Sequence, residues 1–315
     1  MPGTMMRSVE RIPPWLRRSA GVGLVLVVVA LVQGFVGWGR IAAAWLAAGP
    51  GPIALCFALM VCSYAARAVR IGLALEPRPT FFTLLRVTTV HLAAINTLPA
   101  RSGEFALPWL LRRETGHGFG AGLALLFWIR LLDVQVLGML AAATVLAPAG
   151  QAPAALGALA ALLGPLVVWA VLRRPGWQRI GHDGRLRRLF HAVRDHAPPG
   201  VGAYLHLGGW TLAAWVLKFA ALGTWLTAAT QLDPGSALLA VVAAEVAALI
   251  PVQGPAAAGT YEAAVTAALA ATGVPATAAL AAAVQLHLFV LGSSLLCGAV
   301  SWVSLSRRAA RANDG

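Results

Sequence analysis

The stretch Asn96-Thr97-Leu98-Pro99-Ala100-Arg101-Ser102-Gly103-Glu104 sets an arginine and a glutamate in a helix-breaking patch between two apolar runs. Arg101 and Glu104 are three apart, so a helix starting near Ser102 would carry both on one face. The free N–H groups at the start of that helix, beside Arg101, would form an anion-binding end, with Glu104 as its cap and ion-pair partner. A solvated turn at a membrane surface is the competing reading. Arg130 and Asp133 repeat the spacing of three inside a long apolar run. An unpaired charge at the centre of a span costs ~2.5–3.5 kcal/mol, so both are expected to face the protein interior as a pair. Such a pair either clasps two helices or walls a polar cavity. Glu245, Gln253 and Glu262 flank a second break, in which Pro251, Gly254, Pro255 and Gly259 allow an unwound backbone. Glu262 there either caps the following helix or binds a ligand. Lys218 lies deep in a span and either snorkels or pairs with Glu245.

Other reactive side chains are dispersed. Arg112 and Arg113 are either phosphate-headgroup contacts at the cytoplasmic surface or basic anchors. His91, His206 and His287 fall on different spans without metal-ligand spacing, and Cys56, Cys62 and Cys297 lie within apolar runs. No metal and no cofactor is expected. Phosphate-cradling glycine loops, His-Glu-x-x-His and Gly-x-Ser-x-Gly elbows are absent from the sequence, so no catalytic residue is assigned.

The elements that position these residues follow from composition. The chain has 315 residues, 59% of them hydrophobic and 11% charged, with mean hydropathy +0.77. Soluble domains carry about 25% charged residues, so this is an all-α polytopic membrane protein. A net charge of +13 comes from short basic runs beside apolar segments, the positive-inside pattern. Nucleic acid is therefore not an expected partner. Apolar runs at residues 19–36, 52–68, 120–147, 153–172, 202–230 and 277–305 read as six full spans, and residues 37–51 as a short turn. Basic clusters at Arg67–Arg70–Arg78, at 173–199 and after residue 305 place those ends in the cytoplasm. With the clusters at 67–78 and 173–199 on one side, residues 81–111 cross an even number of times. They then form a re-entrant hairpin turning at Pro99–Gly103. The same parity makes 237–272 a second hairpin of opposite orientation, broken at Pro251, Gly254 and Gly259. Repeat A (about 52–147), a cytoplasmic basic loop (173–199) and repeat B (about 202–305) thus compose one integral membrane domain with an inverted repeat and both termini inside. Transporters built this way place their sites at the breaks.

The residues Leu98 to Glu104, followed by Leu110-Leu111-Arg112-Arg113 and Gly116, resemble the Pro-x-Arg-x-Gly-Glu element of the lysylphosphatidylglycerol synthase transmembrane-region family. Arg130-Leu131-Leu132-Asp133 is similar to its Arg-x-x-Asp element, and Pro251 through Glu262 with Gly273-Val274 to its C-terminal Gly-rich element. The resemblance covers roughly residues 19–305. It departs at Ala106-Leu107-Pro108, where members often carry a basic residue, at Ile129 where an acidic one is common, and at Pro255-Ala256-Ala257 in place of a double glycine. The resemblance implies a flippase-like membrane domain. In bifunctional members aminoacyl transfer belongs to a separate soluble domain, and no such domain is found up to Gly315, so synthase activity is not expected.

These readings converge on a cell-membrane protein that translocates or handles an anionic or amphiphilic lipid, or a lipid-linked precursor, between leaflets. Arg101, Glu104, Arg130, Asp133 and Glu262, with Arg112 and Arg113, are the expected headgroup and cavity residues. Membrane lipid is the expected partner, and self-association into a homo-oligomer is compatible with the pattern. Two alternatives come from other classes: a membrane-embedded transferase using a lipid phosphate carrier, with Glu104 or Glu262 as carboxylate, and a non-transporting partner in envelope biosynthesis.

Overall fold

Helix-breaking residues sit where the sequence changes character, and the helices follow from them. A computed structural model describes residues 30, 32–34, 36–145, 151–174, 184–250 and 255–313, and these form helices and turns without a strand. The expected span at 19–36 lies largely outside the described residues. The turn expected at 37–51 is instead a helix, α1 (Trp38–Ala48), because its alanine-rich sequence has high intrinsic helix propensity.

From Ala48 onward the chain forms a second compact unit. Its helices are α2 (Pro50–Leu73), α3 (Phe81–Thr97), α4 (Ala106–Thr115), α5 (Phe119–Val145), α6 (Gln151–Leu172), α7 (Arg185–Asp195), α8 (Val201–Thr230), α9 (Pro234–Ala247), α10 (Thr260–Ala271) and α11 (Ala276–Asn313). Five of them, α2, α5, α6, α8 and α11, are long and apolar enough to cross a membrane, and they coincide with five of the six expected spans.

Between α3 and α4 the backbone breaks where Pro99 forces its neighbour Leu98 into an extended conformation (φ −81°, ψ 140°). A 3-10 segment, Pro99–Phe105, follows, with Arg101 in the left-handed region at φ 55°. Gly103 packs directly on α3: a Cβ there would sit 2.2 Å from the Ala94 carbonyl oxygen. Leu107, Leu110 and Leu111 of α4 share a core cluster with Leu84 and Val87 of α3, so α4 runs back alongside α3. The left-handed Gly116 (φ 76°) then ends α4.

The second break has the same form. Asp233 caps α9, accepting hydrogen bonds from the backbone N–H groups of Gly235 and Ser236. Ser236 Oγ and Thr272 Oγ1, 3.5 Å apart, bring the start of α9 beside the end of α10. Ala256 and Ala257 hold left-handed φ values of 55° and 56°, and Gly259 one of 89°. The expected break residues Pro251 and Gly254 lie outside the described residues.

Helix pairings come in matched sets. Helix α2 packs on α8; α3 packs on α11 as α9 packs on α5; α4 packs on α5 as α10 packs on α11. The 3-10 segments Pro99–Phe105 and Pro255–Ala257 also pack on one another, so the two breaks meet.

Two sequence expectations need correction. Arg67 and Arg70 are not solvated anchors at the end of their span: α2 continues to Leu73, and they are 6% and 3% exposed. Only Arg78 of that cluster is exposed, its Nε donating to the Gly72 carbonyl at 3.0 Å. The polar segment 173–199 also contains structure, α7, whose Phe190 and Val193 pack with Trp128 and Leu172.

Candidate functional site

Helices α2, α5 and α8 and the first break converge on a chain of alternating charges. Arg70 Nη1 of α2 donates to Asp133 Oδ1 of α5 at 2.7 Å and to Thr211 Oγ1 of α8 at 3.0 Å. Trp215 Nε1 of α8 donates to the same Asp133 oxygen at 3.0 Å, and Arg130 Nη1 to Oδ2 at 3.0 Å. Arg130 then turns its Nε and Nη2 to Glu104 Oε2, at 3.0 and 2.7 Å. Glu104 Oε1 accepts from Arg101 Nη2 at 2.5 Å, and Arg101 Nη1 donates to the carbonyl of Ala248, just past α9. The order Arg70–Asp133–Arg130–Glu104–Arg101 thus runs from a spanning helix to the point where the two breaks meet.

Each link has a local cause. Arg130 and Asp133 share a face because they are one helical turn apart. The 3-10 backbone brings Arg101 and Glu104 together in the same way, and the left-handed φ of Arg101 aims the side chain toward α9. Side chains in this setting are almost dry, 3% and 1% exposed for Arg70 and Asp133. A buried carboxylate is tolerable only when its oxygens are saturated with donors, and here Asp133 has three, Arg70, Arg130 and Trp215, and Glu104 has two, Arg101 and Arg130.

Beyond this chain, Lys218 Nζ pairs with Glu245 Oε1 at 2.6 Å, so pairing rather than snorkelling holds for Lys218. The Arg67 guanidinium lies over the Trp215 ring, 5.0 Å from its centroid. A cavity of about 80 Å³ between these groups is lined by Arg67, Arg101, Arg130 and Lys218 against Asp133 and Glu245. That is room for about two or three waters.

Two larger spaces adjoin. A chamber of about 530 Å³ lies among the C-terminal end of α2, the α4–α5 turn, α5 and the α7–α8 connection, with Arg70 in its lining. An apolar groove of about 900 Å³ is lined by Gly138 and Ala141 of α5, Ala161 of α6, Ala243 of α9 and Ala268 of α10. Val246, Ala247 and Ile250 line this groove while their neighbours Ala248 and Leu249 line the charged cavity, so one turn of chain divides apolar from polar.

Of the residues expected from sequence, Arg101, Glu104, Arg130 and Asp133 come together. Glu262 does not join them. Its Oε2 accepts from the Gly259 backbone N–H at 2.7 Å as a helix cap, and its Oε1 meets His287 Nδ1 at 2.5 Å, with the Tyr261 ring stacked on His287. His287 is therefore a hydrogen-bonding residue, with Glu262 as its partner. Arg112 is exposed, and Arg113 pairs with Glu114 at 3.1 Å and lies over the Trp109 and Trp302 rings. Sequence reasoning missed Arg70 and Arg67. Their signal was a polar stripe, Ser63, Tyr64, Arg67 and Arg70, at helical spacing on an otherwise apolar segment.

Residues 19–298 match the family described as the lysylphosphatidylglycerol synthase TM region. The chain belongs to that family. No individually curated protein matches it. Membership and the apolar helices together make it a membrane protein, and the name of the lysylphosphatidylglycerol synthase TM region associates the family with lipid. Within this family member, the Pro99–Glu104 and Arg130–Asp133 elements that looked separate in sequence are one ion-paired unit. Among the described residues no group of three or more His, Cys, Asp and Glu side chains is arranged to hold a metal.

Proposed function

We propose that this protein is a flippase-like integral protein of the cell membrane that moves an anionic or amphiphilic lipid, or a lipid-linked precursor, between leaflets. The single observation behind the reading is the buried chain Arg70–Asp133–Arg130–Glu104–Arg101, which ends where two broken helices meet. Buried charge at membrane depth is expensive and marks polar pathways.

In this reading, α3–α4 and α9–α10 are re-entrant hairpins, and the five long helices join a further span near the N-terminus to make six. The matched helix pairings support an inverted repeat, with both termini and the basic segment 173–199 on the cytoplasmic side. Arg101 and Arg130, released from Glu104, neutralise a phosphate headgroup. Acyl chains stay in the bilayer or follow the apolar groove, so no wide pore is needed. Movement is passive or ion-coupled, and no covalent step is catalysed.

Reconstitution in liposomes with fluorescent anionic phospholipids and lipid-linked sugars, scored by leaflet accessibility, tests this. Faster exchange than in protein-free vesicles is expected for at least one lipid. Unchanged exchange for all of them would overturn the reading.

A further inference from the structure

The charged cavity and the neighbouring chamber differ in a way that bears on where a ligand first binds. At about 80 Å³ the cavity is far below the roughly 300–1,000 Å³ of small-molecule sites, whereas the chamber, at about 530 Å³, falls inside that range. The two share a wall. Arg70 lines the chamber, Asp133 lines the cavity, and their 2.7 Å ion pair stands between.

We propose that this chamber is a phosphate-binding site, occupied before the central cavity opens, with Arg70, Arg78 and His117 as its recognition groups. The proposal rests on the functional reading above for its role in transport, though not for its chemistry. Four observations carry it.

Arg70 is buried, yet its Nε has no hydrogen-bond partner among the described residues. His117 Nε2 is likewise buried and unpartnered. The hydroxyl of Thr115 donates to the Leu111 carbonyl at 2.5 Å, so at 2.8 Å it accepts from His117 Nδ1. That arrangement fixes the ring, and Nε2 accepts from a ligand hydroxyl when the ring is neutral and donates to a phosphate oxygen when the ring is protonated. Buried polar atoms left unsatisfied are costly, and a ligand oxygen would relieve them.

Arg78, which also lines the chamber, spends its Nε on the Gly72 carbonyl, and its terminal amino groups have no bond to a described residue. A guanidinium fork of that kind matches two phosphate oxygens.

The charge balance favours an anion. Five buried or half-buried cations (Arg67, Arg70, Arg101, Arg130, Lys218) face three carboxylates (Glu104, Asp133, Glu245) behind the shared wall. The chamber's own carboxylates, Glu76 and Asp195, are exposed and better screened by salt. His196 and His206, both exposed, complete its titratable lining.

Finally, the floor and sides are built rather than loose. Trp128 Nε1 donates to the Val193 carbonyl at 2.8 Å and Trp169 Nε1 to the Pro198 carbonyl at 3.0 Å, which pins the α7–α8 connection over the chamber. A bound phosphate would compete with Asp133 for Arg70, which couples occupancy of the chamber to loosening of the wall.

The test is calorimetric titration of the full-length protein in detergent with inorganic phosphate and, separately, with dihexanoyl phosphatidylglycerol below its micelle concentration. Saturable binding of at least one probe is expected. R78Q and H117Q should each weaken it about tenfold, the effect of losing one charge-assisted hydrogen bond. R188Q, which removes an exposed charge from α7 outside the chamber, should leave it unchanged. Phosphate binding as tight as the lipid analogue's identifies a free-phosphate site, and analogue binding alone identifies a headgroup site; either supports the proposal. No saturable binding, or binding indifferent to R78Q and H117Q in variants that unfold at the wild-type temperature, overturns it. Exchange in liposomes without chamber binding would overturn this inference alone. Chamber binding without exchange would overturn the transport reading and leave the site.

Discussion

Arg70 and Asp133 lie 2.7 Å apart, on α2 and α5, with almost no solvent around either. Removing one member of a buried pair costs about 3–5 kcal/mol when the other is left uncompensated, and Asp133, which keeps Arg130 at 3.0 Å, should fall toward the low end of that range. Arg70→Ala is therefore expected to lower the thermal unfolding temperature in detergent markedly. Arg70→Met combined with Asp133→Asn should lose less than Arg70→Met alone, because the carboxylate charge that has lost Arg70 is removed, although the single amide oxygen can accept from only one of Trp215 and Arg130, which meet different oxygens of Asp133. A double variant that is worse than the sum of the two singles would contradict the pairing.

Glu104 holds two arginines, Arg101 at 2.5 Å and Arg130 at 2.7 Å. Glu104→Gln keeps the shape and removes the charge that organises them. Hydrogen bonds to charged groups are worth about 1.5–3 kcal/mol, so leaflet exchange should change by about tenfold or more. The same variant with an intact unfolding temperature separates a functional effect from a folding one. Exchange at the wild-type rate would remove Glu104 from the pathway.

Gly103 is required by space: its position against the Ala94 carbonyl leaves no room for a methyl group. Gly103→Ala should push the 3-10 segment off α3, separate Arg101 from Ala248 and lower both stability and exchange. Gly120→Ala, where nothing lies within 4 Å, is the matched control and should be silent. Equal behaviour of the two variants would show that the 3-10 segment does not pack on α3 at Ala94.

Asp233 offers a prediction outside the spans. Hydrogen bonding from Ser236, side chain first and then backbone, holds its carboxyl below the ordinary aspartate range. A depressed folded value means that the stabilisation is present above the unfolded pKa and fades as pH falls through the folded one. Asp233→Ala should therefore be less stable than wild type at neutral pH, with the difference closing in acid. Thermal unfolding measured across that window checks it, and a gap independent of pH would contradict the charged cap.

How much of this was legible in the sequence depends on what each residue signals by itself. The first break was visible because Pro99, Arg101, Gly103 and Glu104 interrupt apolar runs, and Arg130 with Asp133 declared a pair by spacing alone. That these two elements meet was not legible, since it depends on α4 folding back along α3. Arg70 is ambiguous in sequence, because a basic residue at the end of an apolar run looks the same whether it anchors the helix in water or completes a buried network. Helix α7 was hidden by its charge, although Phe190 and Val193 are three apart on the face that packs against Trp128. Glu262 was recognised as polar at a break, but its partner His287 is far along the chain and carries no local mark.

The depth of the two breaks is the most exposed element of the transport reading. Ser102 is exposed at the first break and Ala258 half-buried at the second. In a background with Cys56, Cys62 and Cys297 replaced by serine, single cysteines at Ser102 and Ala258 can be challenged with a membrane-impermeant maleimide from either side. His196, exposed at the chamber rim, provides a surface reference. If the breaks meet inside the bilayer, both cysteines should label well below the rate of the reference, and labelling should slow further when an exchanged lipid is present. A break that labels at the reference rate from one side would lie at the membrane surface. That segment would then be an ordinary loop between spans, and the paired hairpins would be ruled out.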